Sequence, residues 1–517
     1  MKTRKSTKRA LLLSVCSIML CLVMLIGTTF AWFTDTASIA VSTIQSGTLH
    51  VEIQGEDGKP VTELEWLKAE DGKEQEILWE PGCTYTLTPF KIVNTGKLAL
   101  KYQIVITGLD GNAELLKVIE FTYKTADNKE FKINDEGHLK AGEATDMITV
   151  SAHMIESAGN EYQDKTLEGV SFTVYATQDT VEYDSNDNEY DKDPAYGSGV
   201  TIGGFSGTYD TLTAAAKAWR ESKNVVTSGN QFGYNTLNGS VDSITWLISG
   251  EVATGDGEGV IGSNGAGQSI LGGGYFTPAV LVNNVTIKGV NGAKITKTGE
   301  NYLVSAGGNH VVYEDITFTD TVRIDSNPVN LTFKNCKFEA GLRLPHTAVN
   351  GSVTVENCTF TGNESSGYAI FAQGSMASFT ITGSRISDCQ RGINVQAGDN
   401  AVVTISNNTI QGVSGKTENG FTYGAAIQMS SMRNTKAKSF TVTGNIISDV
   451  AVNALHIYEG FNADSVVIRD NEITAAYLCW NQAGYTAVES SGNNLSITNE
   501  GYCVTKTAQE LSNFVLN

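Results

Sequence analysis

The 517-residue chain contains no HExxH, no CxxC and no zinc-like cysteine spacing. A catalytic zinc needs three convergent ligands and an open position. His50, His138 and His153 have no Glu or His at helical spacing to supply them. The EF-hand pattern is missing too, because the Asp-rich stretch 179–200 lacks the sixth-position Gly and the twelfth-position Glu. The Gly-rich "GDGEGVIGSNGAGQSILGGG" follows no strand-to-helix pattern and has no Lys, which excludes a P-loop. Positive charge is in short supply: 36 Lys and Arg stand against 56 Asp and Glu, a formal net charge of −20. That balance excludes nucleic acid and anionic membrane as natural partners. No cofactor is called for, and Ca2+ is the one ion for which the acidic composition leaves room.

What is present begins with one long apolar run. Lys2, Arg4, Lys5, Lys8 and Arg9 precede an almost wholly apolar stretch, residues 10–26, and small residues follow at Thr29 and Ala31. This is the pattern of a signal peptide over 1–31, cleaved after Ala31, and it predicts a secreted, cell-surface-associated protein. Losing five basic residues takes the formal charge from −20 to −25. Val15 and Leu20, ahead of Cys16 and Cys21, are not the small residues of a lipobox. The C-terminal "ELSNFVLN" has no sorting motif and "LPHTA" at Leu344 lacks its Gly, so retention would depend on assembly.

The chain changes character at residues 179–204, an acidic linker poor in aliphatics. Upstream, residues 32–178 read as strands. Phe33, Ala37, Ile39 and Val41, then Leu49, Val51 and Ile53, keep one parity, the period of a half-buried strand. "YTLTPFKIVNTGKLALKYQIVI" and "GVSFTVYATQ" are further strands broken by turns. With helical periodicity scarce, an antiparallel sandwich or jelly roll is expected.

Five segments in order, "LLLSVCSIMLCLVMLIGTTFAWFTD", "STIQSGTLHVEI", "WEPG", "FKIVNTGKLALKY" and "VSFTVYATQ", resemble the TasA/camelysin group of Gram-positive exported proteins. The resemblance implies processing by a signal peptidase of the SipW type, a jelly-roll subunit of biofilm matrix fibres, and donation of an N-terminal strand to a neighbouring copy. Trp32, Phe33, Ala37, Ile39 and Val41 would form that assembly strand; an ordinary first strand paired within its own domain fits the alternation equally. Camelysin-like members also carry a metalloprotease label, for which the residues above give no support.

Residues 205–517 repeat one pattern, apolar-Thr-apolar-x-(Asn/Gly/Asp)-x-x-(Phe/Ile). Copies start at Val285, Val311, Leu331, Val353, Phe379, Val403, Phe440, Val466 and, weakly, Leu495, at intervals of 20 to 37 residues. Such a period marks a solenoid. The fifth position (Gly289, Asp315, Asn335, Asn357, Gly383, Asn407, Gly444, Asp470, Asn499) takes residues that tolerate a left-handed backbone at a sharp bend. The half resembles the right-handed parallel β-helix, pectate-lyase-like superfamily. "DTLTAAAKAWRES" predicts a short capping helix with Leu212, Ala215, Ala216 and Trp219 inward and Asp210 as N-cap. Thr507 and Glu510 predict a second cap ahead of Leu511, Phe514 and Val515. Cys336 and Cys358, one layer apart, read as stacked inward thiols rather than as a disulfide.

Many β-helices cut acidic polysaccharides, with converging carboxylates or with a calcium cluster and a basic residue. The Asn-Thr-Asp and Asp-Asp signature of polygalacturonases is absent, and Asp388 and Asp449 read as turn residues, so no catalytic residue is assigned. In "VRI", "LRL", "INV", "IQM" and "LHI" the middle residue points out: Arg323, Arg343, Asn394, Gln428 and His456, with Gln396, Tyr458 and Trp480 nearby. This is the candidate ligand face, suited to an acidic polysaccharide or host glycan. The leading expectation is a non-enzymatic adhesive or matrix protein, and a polysaccharide lyase or hydrolase is the alternative. N-terminal sequencing of the exported protein should return Trp32 as the first residue; a start beyond Val41 would remove the assembly strand.

Overall fold

The computed structural model describes residues 34–39, 49–61, 64–68, 79–107, 114–133, 135–162, 170–179, 196–203, 205–222, 226–227, 235–236, 241–255, 282–297, 310–324, 330–344, 351–364, 366–419, 421–500 and 516. The signal segment, Trp32, Phe33, Val41, the Gly-rich stretch and the C-terminal cap fall outside these residues. The chain forms two compact units, one of residues 1–106, 119–158 and 172–197, the other of 107–118, 159–171 and 198–517.

In the first unit, strands gather into two four-stranded sheets and a two-stranded ribbon, and every strand pair with a defined register there is antiparallel. Alternation dictates this: Ile148–Met154 buries every second residue, and so does Thr84–Leu87. Phe90, bridged to Ile148 of one sheet, meets Phe172 of the other with ring centres 5.4 Å apart. The N-terminal strand Thr34–Ile39 pairs antiparallel with Ser171–Gln178 of its own chain, Ala37 opposite Val174 and Ile39 opposite Phe172. Of the two pairings open to it, this is the one within its own subunit.

The second unit winds a 25-stranded sheet in which every pair from Val241–Ala253 onward is parallel. Three faces recur in each coil, as at Asn330–Lys334, Lys337–Phe338 and Leu342–Leu344. On the first face Val311, Leu331, Val353, Phe379, Val403, Phe440, Val466 and Val488 stack in register and are inward. Phe318, Phe338 and Phe360 stack on the second, the last two rings 4.4 Å apart and within 2° of parallel. On the outside of the first face Lys288, Glu314, Lys334 and Glu356 alternate in sign from coil to coil. Burial pushes the Glu314 carboxyl up, but Lys334 at 2.9 Å and Lys288 at 3.6 Å outweigh it and hold the group below its usual value.

The bend residues behave as their chemistry requires. Asp315, Asn335, Asn357, Gly383, Asn407, Gly444 and Asp470 all have φ between 52° and 64°. A Cβ on Gly383 would lie 2.3 Å from Asn357 Oδ1, so that coil needs Gly for space as well as for its backbone angle. Four expectations are corrected here. At the first bend the left-handed residues are Asn291 and Gly292, not Gly289. The last copy starts at Val488, in register with Val466, while Leu495 pairs with Ile473 on the second face and the bend is Gly492, not Asn499. The capping helix Leu212–Ser222 is N-capped by Thr211, whose Oγ1 accepts the Ala214 N–H at 3.1 Å, rather than by Asp210. Gly199–Ile202, placed in the linker by its composition, pairs with Val241–Ala253, and its Val200 and Ile202 enter the solenoid core.

Directly after each bend sits a residue whose side chain turns inward: Cys336, Cys358, Ser384, Asn408, Asn445, Asn471 and Asn493. Asn445 Oδ1 accepts the Asn408 N–H at 3.0 Å, Asn471 Oδ1 the Asn445 N–H at 3.0 Å, and Asn493 Oδ1 the Asn471 N–H at 3.1 Å. Asn445 Nδ2 donates to the Ile405 and Thr443 carbonyls and to Asn471 Oδ1 at 2.9–3.1 Å. Below them, Asn408 Oδ1 accepts the Ser384 N–H and Ser384 Oγ accepts the Cys358 N–H. A buried backbone N–H or C=O without a partner is costly, and each Asn answers several at once. Asn445→Ala should therefore cost about 3 kcal/mol, because it orphans buried groups on two coils. Thermal unfolding checks this: a fall of Tm by roughly 5 °C or more is expected, against almost none for Thr441→Ala on the outer surface.

Candidate functional site

The third face carries the outward residues of the sequence pattern on one straight column. Arg323 pairs with Arg343, Arg343 with Phe371, Phe371 with Asn394, Asn394 with Gln428, Gln428 with His456 and His456 with Trp480. The parallel register brings all of the five middle residues together and places Trp480 in the column itself. Gln396 lies two residues along, between Gln373 and Ser430, and Tyr458 stands 43% exposed at the rim.

The column is not the solvated face that alternation alone implies. Asn394, Gln428 and His456 are 1%, 4% and 3% exposed. What covers them comes from the strand starts and an inserted hairpin. Tyr368 pairs with Arg391 in register. The Arg391 guanidinium lies 3.8 Å over the Tyr368 ring and 5.3 Å from that of Tyr423, on the hairpin formed by Lys416–Glu418 and Phe421–Tyr423. Arg391 donates to Tyr368 OH at 3.0 Å and to the Ser366 carbonyl. Tyr368 OH donates onward to Gln428 Oε1 at 2.7 Å, and Gln428 Nε2 to Ser430 Oγ at 3.1 Å. Tyr423 OH holds Glu418 at 2.6 Å.

Two buried atoms in this network have no hydrogen-bond partner, Asn394 Oδ1 and Arg391 Nε. An acceptor and a donor left open in a buried polar cluster are what a bound polar group can satisfy.

Arg343 is engaged by its neighbours. Arg343 donates to Glu364 Oε2 at 3.3 Å and lies 5.6 Å from the Phe371 ring. Glu364 is 3% exposed and also accepts from the Ser366 and Tyr368 backbone N–H groups at 3.0 and 3.2 Å. The acid partner for Arg343, not visible from spacing, is therefore present.

At the other end the His456 and Trp480 rings stack at 4.1 Å and 8°, with Tyr458 edge-on at 5.5 Å from His456. Gln482 Oε1 lies 3.3 Å from His456 Nε2. Burial depresses His456 to about 4, helped by Arg391 and opposed by Gln482, so it is neutral at pH 7. Burial pushes Tyr368 up to about 12 although Arg391 and Asn394 favour its ionised form. Neither group is poised as an acid or base near neutrality. Past the ends of these strands opens a cavity of about 560 Å³, bordered by Asp399, Ser431, Arg433, Lys436, Glu459 and Asn462. Among the described residues no group of three His, Cys, Asp or Glu side chains is placed to hold a metal ion. Asp388 and Asp449 both have left-handed backbones, with φ of 54° and 51°, the first at a bend and the second at a register shift within strand Ile446–Ile457.

Tyr368, Arg391, Phe371, Glu364 and Tyr423 were not picked out by spacing. Phe371 had a usable signal, because "IFA" repeats the "LRL" and "INV" alternation. Arg391 and Tyr368 share the same offset before Ile393 and Ile370. Glu364 and Tyr423 lie in loops, where no period points to them.

Comparison places this geometry in a class. The family described as "Right handed beta helix region" matches residues 269–436 and 348–500, and with the parallel sheet this makes the second unit a right-handed β-helix. A search of curated proteins finds no match. Among solved structures, the catalytic domain of a GH87 alpha-1,3-glucanase in complex with nigerose is similar at 11% identity. It covers 84% of this chain and 99% of that one, with a TM-score of 0.23. The Agl-KA catalytic domain is similar at 12% identity, covering 88% and 99%, with a TM-score of 0.17. Likeness of that size carries no argument about what this chain does.

The His456 environment generates a pH dependence. The folded pKa lies below the ordinary 6.5, so the unfolded chain binds the proton more readily. The corresponding stability is complete above pH 6.5 and is lost as pH falls toward 4, by up to about 3 kcal/mol. Thermal melts of wild type and His456→Gln from pH 7 to 4 should show a shallower decline in the variant.

Proposed function

We propose that the chain is an exported, non-enzymatic cell-surface or matrix protein in which a TasA/camelysin-like module presents a glycan-binding β-helix. In this reading a SipW-type peptidase releases the mature chain, and the N-terminal strand completes a sheet of its own subunit. The observation that carries the binding role is the third-face column. It joins amides, a neutral imidazole stacked on Trp480 and an exposed Tyr458, beside two unsatisfied buried polar atoms. Aromatic surface with a few fixed polar groups is the make-up of a sugar site.

The ligand class changes with the geometry. Arg343 is committed to Glu364, and Arg391 to Tyr368 and Ser366, on a chain of formal charge −20. Hydroxyl-rich, neutral saccharide suits this face better than the acidic polysaccharide that two adjacent arginines suggest.

A glycan array followed by titration tests the reading on the mature protein. Binding to neutral oligosaccharides should change little between low and high salt. Tyr458→Ala and Trp480→Ala should each weaken it about tenfold, near 1.4 kcal/mol. Binding confined to uronic polymers and abolished by salt would restore the acidic ligand. New reducing or unsaturated ends would make the protein a hydrolase or lyase.

A further inference from the structure

The inward ladder of asparagines ends at Ser384, and in the next two coils thiols hold its place. Lys334 pairs with Glu356 two residues before them, and Lys337 with Thr359 one residue after, so Cys336 and Cys358 are stacked neighbours. Each is 1% exposed. Each Sγ donates at 3.3 Å to the carbonyl two residues back, Lys334 or Glu356, so the two side chains point the same way one coil apart. The thiol of Cys336 bonds the previous coil at Tyr313 O, and that of Cys358 does the same at Phe333 O. Adjacent strands lie about 4.8 Å apart, within the roughly 4.4–6.8 Å between Cα atoms that a disulfide spans.

We infer that Cys336 and Cys358 are a disulfide site, a covalent rung that takes over where the hydrogen-bonded ladder stops. The structure holds the reduced form, with both thiols free. Among the described residues no other cysteine shares the column: the next position up is Ser384, Cys389 lies beyond the second-face strand Arg385–Ile386, and Cys479 is on the third face. Both thiols are 1% exposed, so a dissolved oxidant cannot reach them once the coils have closed, and burial with the Cys358 thiol beside it also pushes the Cys336 thiol well above its ordinary value. The bond must therefore form while the coils are closing. The thiolate of one cysteine attacks a small-molecule disulfide such as oxidised glutathione and releases one glutathione thiol. The thiolate of the second cysteine then attacks the mixed disulfide and expels the other. Two electrons pass to the oxidant, the cysteines lose two protons, and one S–S bond is made for one broken. The link would tie two coils through a short loop and restrict the unfolded chain.

Refolding the full chain with oxidised glutathione, or with dithiothreitol, tests this. After denaturing alkylation of the oxidised sample, peptide mass mapping should return a linked pair containing Cys336 and Cys358, two hydrogens lighter than the thiols. Its Tm should exceed that of the reduced sample by several degrees. Cys358→Ser, conservative because Ser384 already fills this column, should fold and abolish the difference; Cys389→Ser should keep it. Alkylation of both thiols after oxidative refolding, or a link from Cys336 to Cys389, would overturn the inference.

Discussion

The solenoid depends on how it satisfies the backbone at its tightest bends. A β-strand pairs its N–H and C=O groups with neighbours, but a one-residue left-handed corner breaks the pairing inside the core, where water cannot replace it. Asn408, Asn445, Asn471 and Asn493 solve this by donating to carbonyls of their own and the preceding coil while accepting from the coil below. The left-handed corner, the Gly, Asn or Asp that permits it, and the inward Asn that follows are one device. The strands on either side are free to vary as long as they stay apolar on the inside. That freedom lets one coil swell to hold the hairpin over Arg391 without disturbing the column beneath.

Much of this was legible in the sequence because a solenoid writes its structure as a period. Alternation and bend chemistry located the first-face strands from Val285 to Val466, and the same alternation named Arg323, Arg343, Asn394, Gln428 and His456 as one column. It failed where the period gives no information. Leu495 mimics a first-face start because second-face strands are also apolar-polar-apolar, and only the pairing with Ile473 separates them. Outward direction was legible, but exposure was not: Gln428 points away from the core and is still buried, because Tyr368 and its neighbours close over it. Burial of an outward residue is a property of loops.

The candidate site follows from that closure. Excluding water from Arg391, Tyr368 and Gln428 strengthens their mutual hydrogen bonds and keeps His456 neutral, so the face reads as polar without carrying free charge. Arg343 and Glu364 make the same point at the other end, where a guanidinium is matched to a carboxylate already held by backbone N–H groups. Such a surface suits the neutral saccharide proposed above better than a charged polymer.

The alternating Lys288, Glu314, Lys334 and Glu356 have a bearing on how the stack is assembled without error. Apolar coils of similar sequence are nearly interchangeable to one another, so skipping a coil is the natural mistake of a growing solenoid. Skipping here would set Lys288 beside Lys334, or Glu314 beside Glu356, like charges at strand spacing in place of the attractive pairs seen. The outer charges act as a parity check on coil order, readable one step at a time, in a region where the inner residues alone could not tell neighbour from next-neighbour.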